Sequence, residues 1–266
     1  MPILTWVANH RFWALGMGIA VLIIAVATGA WFFFLRSPGT QLDVRQALRL
    51  YRQSEQNPDP SSPQLPPPGV YRYRTTGNEN LSIAAGIFRS FPNMTNAIVT
   101  DAKCATVRWE PLVEHVEGQV ECPAGGGALN LASFPSSEQI AGITTNMNLD
   151  CPAGTYLVPP NAAVGKRWKA TCHAPGQVVQ LTGRVVGFGS VTVGGRAVPS
   201  VHTHLSMSYS GSEAGTSPSD YWVSVEDGMI LRETESVDVR QSAGPLGSVH
   251  YTEQMAISLQ SLTPSR

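Results

Sequence analysis

Four cysteines, Cys104, Cys122, Cys151 and Cys172, are the residues of this chain best placed to form covalent cross-links. An even count with no C-x-x-C pair fits two disulfides in an oxidising compartment better than a zinc site, whose ligand spacing is absent. Three pairings are possible. The sequential one, Cys104 with Cys122 and Cys151 with Cys172, is favoured because each closes a loop the size of a hairpin plus its connection. Each closure is worth roughly 3 kcal/mol in the chain-entropy picture.

His202 and His204 stand two apart in a stretch of strand pattern, so both imidazoles face the same solvent side. That geometry can present two nitrogens to one metal, but no third ligand accompanies them and a surface role is expected. His115 and His250 also fall on outward phases. No G-x-S-x-G, H-E-x-x-H, Walker loop or G-x-G-x-x-G occurs. The expectation is therefore no enzyme, no cofactor and no metal, with a hydrolase built on a dispersed Ser-His-Asp set ranked last.

Two further sets bear on binding. Arg72, Arg74, Arg108 and Arg184 alternate with apolar residues and are expected on the open face of a sheet, solvated or forming a cationic strip for an anionic partner. Tyr71, Tyr73, Trp109, Trp168, Trp222 and Tyr251 are expected inside as core. If the sheet curls without closing, Tyr71, Tyr73, Trp109, Trp168 and Tyr251 become an apolar face able to shelter an acyl chain.

The elements that position these groups follow from charge and periodicity. The net charge of -1 and a charged fraction of 14% leave no basic face for nucleic acid. Residues 12–35, FWALGMGIAVLIIAVATGAWFFFL, carry no charge and span roughly 36 Å as a helix, enough to cross a bilayer. They are read as an uncleaved anchor behind a short cytoplasmic flank, residues 1–11, and ahead of an extracytoplasmic domain. The arginines after the span oppose that orientation under the positive-inside rule. The cysteines favour it, and large domains translocate regardless of charge. The predicted location is the cytoplasmic (inner) membrane, single-pass.

Residues 36–56 follow as a juxtamembrane amphipathic helix. Thr40 is its expected cap, Val44, Ala47, Leu48 and Tyr51 form the apolar face, and Arg45, Arg49 and Arg52 line the other. The helix packs on its own domain, or presents those arginines to headgroups or a membrane partner. Residues 57–68 are a proline-rich linker, and residues 69–266 a β domain of about ten to twelve strands.

Alternation turns Tyr71, Tyr73 and Thr75 inward, then Ala105, Val107 and Trp109, then Val116, Val120 and Cys122, then Trp168, Ala170 and Cys172, and finally Val179, Leu181 and Val185. A sheet with one wet face is antiparallel by preference, and the fold class is a curved antiparallel sheet, half-barrel or sandwich-like. Gly194-Gly195 and Asp227-Gly228 mark two tight hairpins, and the SSEQIAGI stretch a short helix.

Residues 159–233 carry a G-x-x-W strand, a V-x-V-G-G hairpin and a W-x-x-x-x-x-G-x-I hairpin. This run resembles an actinobacterial group of extracytoplasmic β half-barrels, a shape loosely shared with the lipoprotein carrier LolA and the lipid-holding lipoproteins LppX and LprG. The span, arginine-bearing helix and cysteine-stapled domain together resemble the trehalose monomycolate transport factor (TtfA) family, which works with an MmpL-type lipid exporter. The resemblance implies a membrane-anchored accessory protein of lipid or glycolipid transport that contacts a transporter and holds an acyl chain. No site residues carry over. The alternative is a structural interaction module of an envelope complex, without ligand or catalysis.

Overall fold

A computed structural model describes residues 39–54, 65–82, 86–100, 103–140, 143–242 and 248–266. The predicted span and most of the proline-rich linker lie outside these. Among the described residues no helix is long and apolar enough to cross a membrane.

Among the described residues one helix, α1 (Val44–Ser54), precedes fourteen strands: β1 (Gly69–Leu81), β2 (Ile87–Ser90), β3 (Met94–Thr100), β4 (Ala105–Leu112), β5 (His115–Ala124), β6 (Ala128–Ile140), β7 (Ile143–Asp150), β8 (Tyr156–Val158), β9 (Arg167–Ala174), β10 (Gln177–Val193), β11 (Arg196–Gly211), β12 (Glu213–Ser224), β13 (Ile230–Ser242) and β14 (Ser248–Leu259). Each pairs with its neighbours antiparallel, and β14 returns to pair with β1 from Tyr73↔Leu259 to Leu81↔Tyr251. With β2 beside β1 and β8 beside β6 set aside, twelve of the fourteen strands form a closed ring. The expected half-barrel or sandwich is thus corrected to a barrel: a strongly twisted sheet of this size removes both long edges by meeting itself.

Closure is uneven. β1 and β14 share a long register, whereas β7 and β9 share the single pair Asp150↔His173. The Cys151–Cys172 disulfide crosses this seam, and Cys104–Cys122 joins the start of β4 to β5. This is the sequential pairing.

α1 lies on the outside. Its carbonyl cap is Asp43, which accepts from the amides of Gln46 and Ala47, while Thr40 is held through its amide and hydroxyl by the Glu114 carboxylate, both at 2.7 Å. Ala47 and Tyr51 are buried with Leu42 against Val70 of β1 and Ile98 of β3. The helix therefore packs on its own domain, and Arg45, Arg49 and Arg52 are exposed.

Other expectations are corrected. Of the SSEQIAGI stretch, Ser136 to Ile140 lie in β6 and Ile143 opens β7, its antiparallel partner, so the expected helix is replaced by strand. Gly194-Gly195 does form a two-residue turn with φ of 56° and 85°, but Asp227-Gly228 sits in the longer loop Val225–Met229. There the Ser224 hydroxyl accepts from the Glu226 and Asp227 amides. Trp222 faces outward, not into the core: it stacks on His202 at 4.2 Å with the Arg232 guanidinium 4.6 Å from its ring.

The largest correction is β5. Its phase is reversed: His115, Gln119 and Glu121 are buried inside, while Val116 and Val120 are half-buried on the outer side. Register forces this, because Glu117 lies opposite Trp109, Gln119 opposite Val107 and Glu121 opposite Ala105, all inward positions of β4.

Candidate functional site

The interior of a twelve-stranded ring is wider than apolar side chains alone fill, since barrel diameter grows with strand number. In β1 the inward row runs Tyr71, Tyr73, Thr75, Gly77, Glu79, Leu81, and the facing row of β14 runs Leu259, Ile257, Met255, Glu253, Tyr251. Both rows pass from apolar to acidic. The apolar part is close-packed around Leu131, Leu157, Leu181, Leu205 and Leu231. Beyond it a cavity of about 220 Å³ is lined by Trp109, Phe134, Met147 and Leu149 from β4, β6 and β7, and by Glu213, Glu233 and Glu235 from β12 and β13. In ring order β6 and β13 stand on opposite sides.

At the edge of this cavity sits a buried ionic network. Glu79, 0% exposed, accepts from Arg89 at 2.6 Å, lies 2.6 Å from His115 Nδ1 and accepts from the Tyr251 hydroxyl at 3.2 Å. Arg89 also donates to the Gln139 carbonyl at 2.9 Å. His115 Nε2 faces Glu117 at 3.1 Å and Glu253 at 3.9 Å, and the single Tyr251 hydroxyl proton lies between Glu79 and Glu253, closer to Glu253.

Burial works against the Glu79 carboxylate, but its bonds to His115 and Arg89 outweigh it and hold its pKa below the usual value. Burial likewise disfavours a charged His115, yet Glu117, Glu79 and Glu253 together raise its pKa well above the ordinary imidazole range. Elsewhere in the interior burial wins. It pushes Glu121 up to about 8 and Glu138 to about 7. Burial and the nearby Glu117 charge bring Glu235 to about 7, and burial raises Glu233 and Glu253 well above the usual carboxylate range.

Of the aromatic set expected to face a ligand, Tyr73, Trp109 and Tyr251 line the cavity. Tyr71 is in the packed core with its hydroxyl on the Pro67 carbonyl, and Trp168 lies over Gly183 with its indole N–H on the Tyr156 carbonyl. Arg45, Arg49 and Arg52 are on α1, on the outer surface. Arg72 on β1 and Arg108 on β4 are separated by β3, Arg108 paired with Glu110 at 2.5 Å, while Arg184 sits far round the ring on β10. His202 and His204 bracket Asp220 on the outer surface at 2.7 and 3.2 Å.

Sequence reasoning missed the interior acids. Their signal was present in β14, where Glu253 interrupts the inward row of Tyr251, Met255 and Ile257, and in β13, where Glu233 and Glu235 share the phase of Val237 and Val239. An acid on an otherwise apolar phase marks a polar interior.

Fold and cavity define a class: a closed antiparallel β-barrel whose interior is part aromatic and part carboxylate. No protein-family model and no curated protein matches the sequence. Among solved structures the chain is similar to the hypothetical lipoprotein YmcC from Escherichia coli (K12), with a TM-score of 0.34 and 13% identity over 85% of this chain and 99% of that one.

Proposed function

We propose that this chain is a guest-binding protein of the cell envelope that takes one end of a lipid or glycolipid into its barrel. In this reading residues 12–35 anchor it in the cytoplasmic membrane and the barrel lies outside, where its disulfides form. The observation that carries the reading is the cavity's two chemistries in one space: Trp109, Phe134, Met147 and Leu149 facing carboxylates across the ring. Such a lining suits an amphipathic guest. At about 220 Å³ the cavity is smaller than the roughly 300–1,000 Å³ usual for a whole ligand, so it holds part of a longer molecule. A neighbouring recess of about 850 Å³, sharing Pro135, Ser136 and Met147 with the cavity and reaching Asp150 beside the seam, offers room for the remainder.

The role is that of an accessory in lipid or glycolipid transport, with trehalose monomycolate as the guest the sequence resemblance suggests and an MmpL-type exporter as the partner. Exposed Arg45, Arg49 and Arg52 on α1 supply a contact surface for that partner or for anionic headgroups. No catalysis belongs to this reading.

The test is affinity purification of the full-length protein from its native membrane in mild detergent, with co-purifying proteins and extracted lipids identified by mass spectrometry. A stoichiometric lipid, lost in a Met147→Trp variant that fills the cavity, supports the reading. Recovery of another envelope complex and no lipid overturns it in favour of a tethered interaction module.

A further inference from the structure

The chain is tied to the barrel at a defined point ahead of α1. Gly39 is seated against Leu112, so closely that a Cβ built on it would lie 2.4 Å from the leucine Cδ1. Beside it Thr40 gives its amide and hydroxyl to the Glu114 carboxylate, and its carbonyl accepts from the Val113 amide, each at 2.7 Å. These contacts fix Gly39 and Thr40 at the turn between β4 and β5. The proposed anchor ends at Leu35, four residues before Gly39. Four residues reach at most about 14 Å even when fully extended.

The two ends of the barrel differ. Because antiparallel neighbours alternate in direction, the β4–β5 turn shares its end with the connections β1–β2, β6–β7, β9–β10, β11–β12 and β13–β14. In sequence these six connections carry one charge, Glu114, which is already engaged with Thr40. The connections at the other end carry Asp101, Lys103, Lys166, Glu226 and Asp227. Large apolar side chains are exposed toward both ends, Phe88 (63%) and Val113 (43%) at the first, Phe188 (55%) and Val225 (56%) toward the second. Exposure alone therefore does not choose between them. The tether does, because it holds only the first end close to where the anchor leaves the bilayer.

We propose that this nearly uncharged end docks on the extracytoplasmic leaflet of the membrane that holds the anchor, with Phe88 and Val113 against the lipid surface. The inference rests on the anchored reading above and deepens it. The cavity reaches the same end: Leu81 closes β1, His115 opens β5, Glu213 opens β12 and Val249 is the second residue of β14, and all four line it. In the docked state a guest passes between leaflet and cavity without crossing bulk water. The approach leaves few ions to desolvate, and Phe88 gains by leaving water.

Fluorescence depth quenching tests this in full-length protein reconstituted into liposomes of phosphatidylethanolamine and phosphatidylglycerol. The four native cysteines are paired, so a single introduced thiol takes the label. Tilted as barrel strands are, the thirteen residues of β1 rise roughly 30 Å from one end to the other. Labels at Phe88→Cys and Val113→Cys should accordingly be quenched by doxyl-labelled lipid at least about threefold more than labels at Phe188→Cys and Val225→Cys, and be shielded from aqueous iodide. Equal lipid quenching at the two ends, or a Phe88 label open to iodide, overturns the proposal. So does shielding that appears only in native membranes, which assigns this end to a protein partner. A label at Ala20→Cys, inside residues 12–35, reports the anchor separately. If it is quenched while the Phe88 label is not, the anchored reading stands and docking falls; if neither is quenched, both fall. The readout needs no guest, so failure of lipid recovery leaves docking standing.

Discussion

Cys151 and Cys172 are bonded across the one junction of the ring where adjacent strands share a single residue pair, Asp150 with His173. A covalent link thus stands where the hydrogen-bond ladder is sparsest, beside the recess that adjoins the cavity. The bond closes a sequence separation of 21, against 18 for Cys104–Cys122, so chain entropy values the two alike at roughly 3 kcal/mol. Their local effects should differ. Cys151→Ser with Cys172→Ser is expected to lower stability by about 2–4 kcal/mol and to raise amide exchange in β7 and β9 selectively. Cys104→Ser with Cys122→Ser should cost a similar amount without opening the seam, because β4 and β5 remain joined by consecutive pairs from Ala105↔Glu121 to Trp109↔Glu117. Uniform exchange increases in both pairs of variants would show that the seam does not depend on its disulfide.

Glu79 and Arg89 form a second prediction. Both are buried, and each is the other's close partner at 2.6 Å. Removing one leaves the other charged inside the barrel. Glu79→Gln or Arg89→Met alone should therefore cost about 3–5 kcal/mol, while the double variant should cost less than the sum by at least 1 kcal/mol. Urea unfolding of the four proteins measures the coupling. Additive losses would mean that His115 and Tyr251, not Arg89, carry the Glu79 charge.

These buried charges also explain how far the fold was legible from sequence. In β1, β4 and β10 the inward positions are almost all apolar or threonine, so period-two alternation gave both the strand and its phase. In β5 two valines share one phase and His115, Glu117, Gln119 and Glu121 the other, and hydrophobicity alone turns the valines inward. The opposite holds because a wide ring leaves interior volume that long polar side chains occupy in pairs. Closure was equally hidden: whether β14 meets β1 depends on accumulated twist and shear, which no local pattern encodes. The SSEQIAGI stretch read as helix for a similar reason, since Ser136 and Glu138 lie opposite Glu117 and His115 on the inward phase, where apolar residues would have marked a strand. The cysteine pairing was legible because sequential loops in a meander bring neighbouring strands together.

Gly183 and Trp168 offer a sharper packing test. They are directly paired between β10 and β9, and a Cβ built on Gly183 would lie 2.1 Å from the indole Cε2. Trp168 uses the missing side chain as its seat and donates to the Tyr156 carbonyl at 3.0 Å from there. Gly183→Ala should displace the ring, break that bond and cost about 2–3 kcal/mol, the range of overpacking in a filled site. Gly189→Ala, in the same strand but with open space around its Cβ, should change stability by less than about 0.5 kcal/mol. Near-UV circular dichroism and thermal unfolding compare them. Equal effects would assign the cost to the strand's conformation and not to the seat of Trp168.

Glu121 sets the pH dependence. It is 0% exposed, its Oε1 accepts from Gln119 at 2.5 Å, and its Oε2 has no partner, so burial holds the carboxyl near 8 against 4.5 when solvated. Between those values the folded chain keeps a proton that the unfolded chain releases. The folded state then binds more protons than the unfolded one, and stability must fall as pH rises from about 4.5 to about 8, levelling off above. Glu121→Gln keeps the shape and cannot ionise. It should match the parent protein at pH 4 and exceed it at pH 8.5 by about 2–4 kcal/mol, a discounted share of the full linkage. Glu138 and Glu235, both near 7, titrate in the same window, so the parent-minus-variant difference isolates Glu121. A gain of the same size at both pH values would show that the amide merely packs better. A loss at pH 8.5 would show that the carboxylate is charged and stabilised by a group inside the barrel.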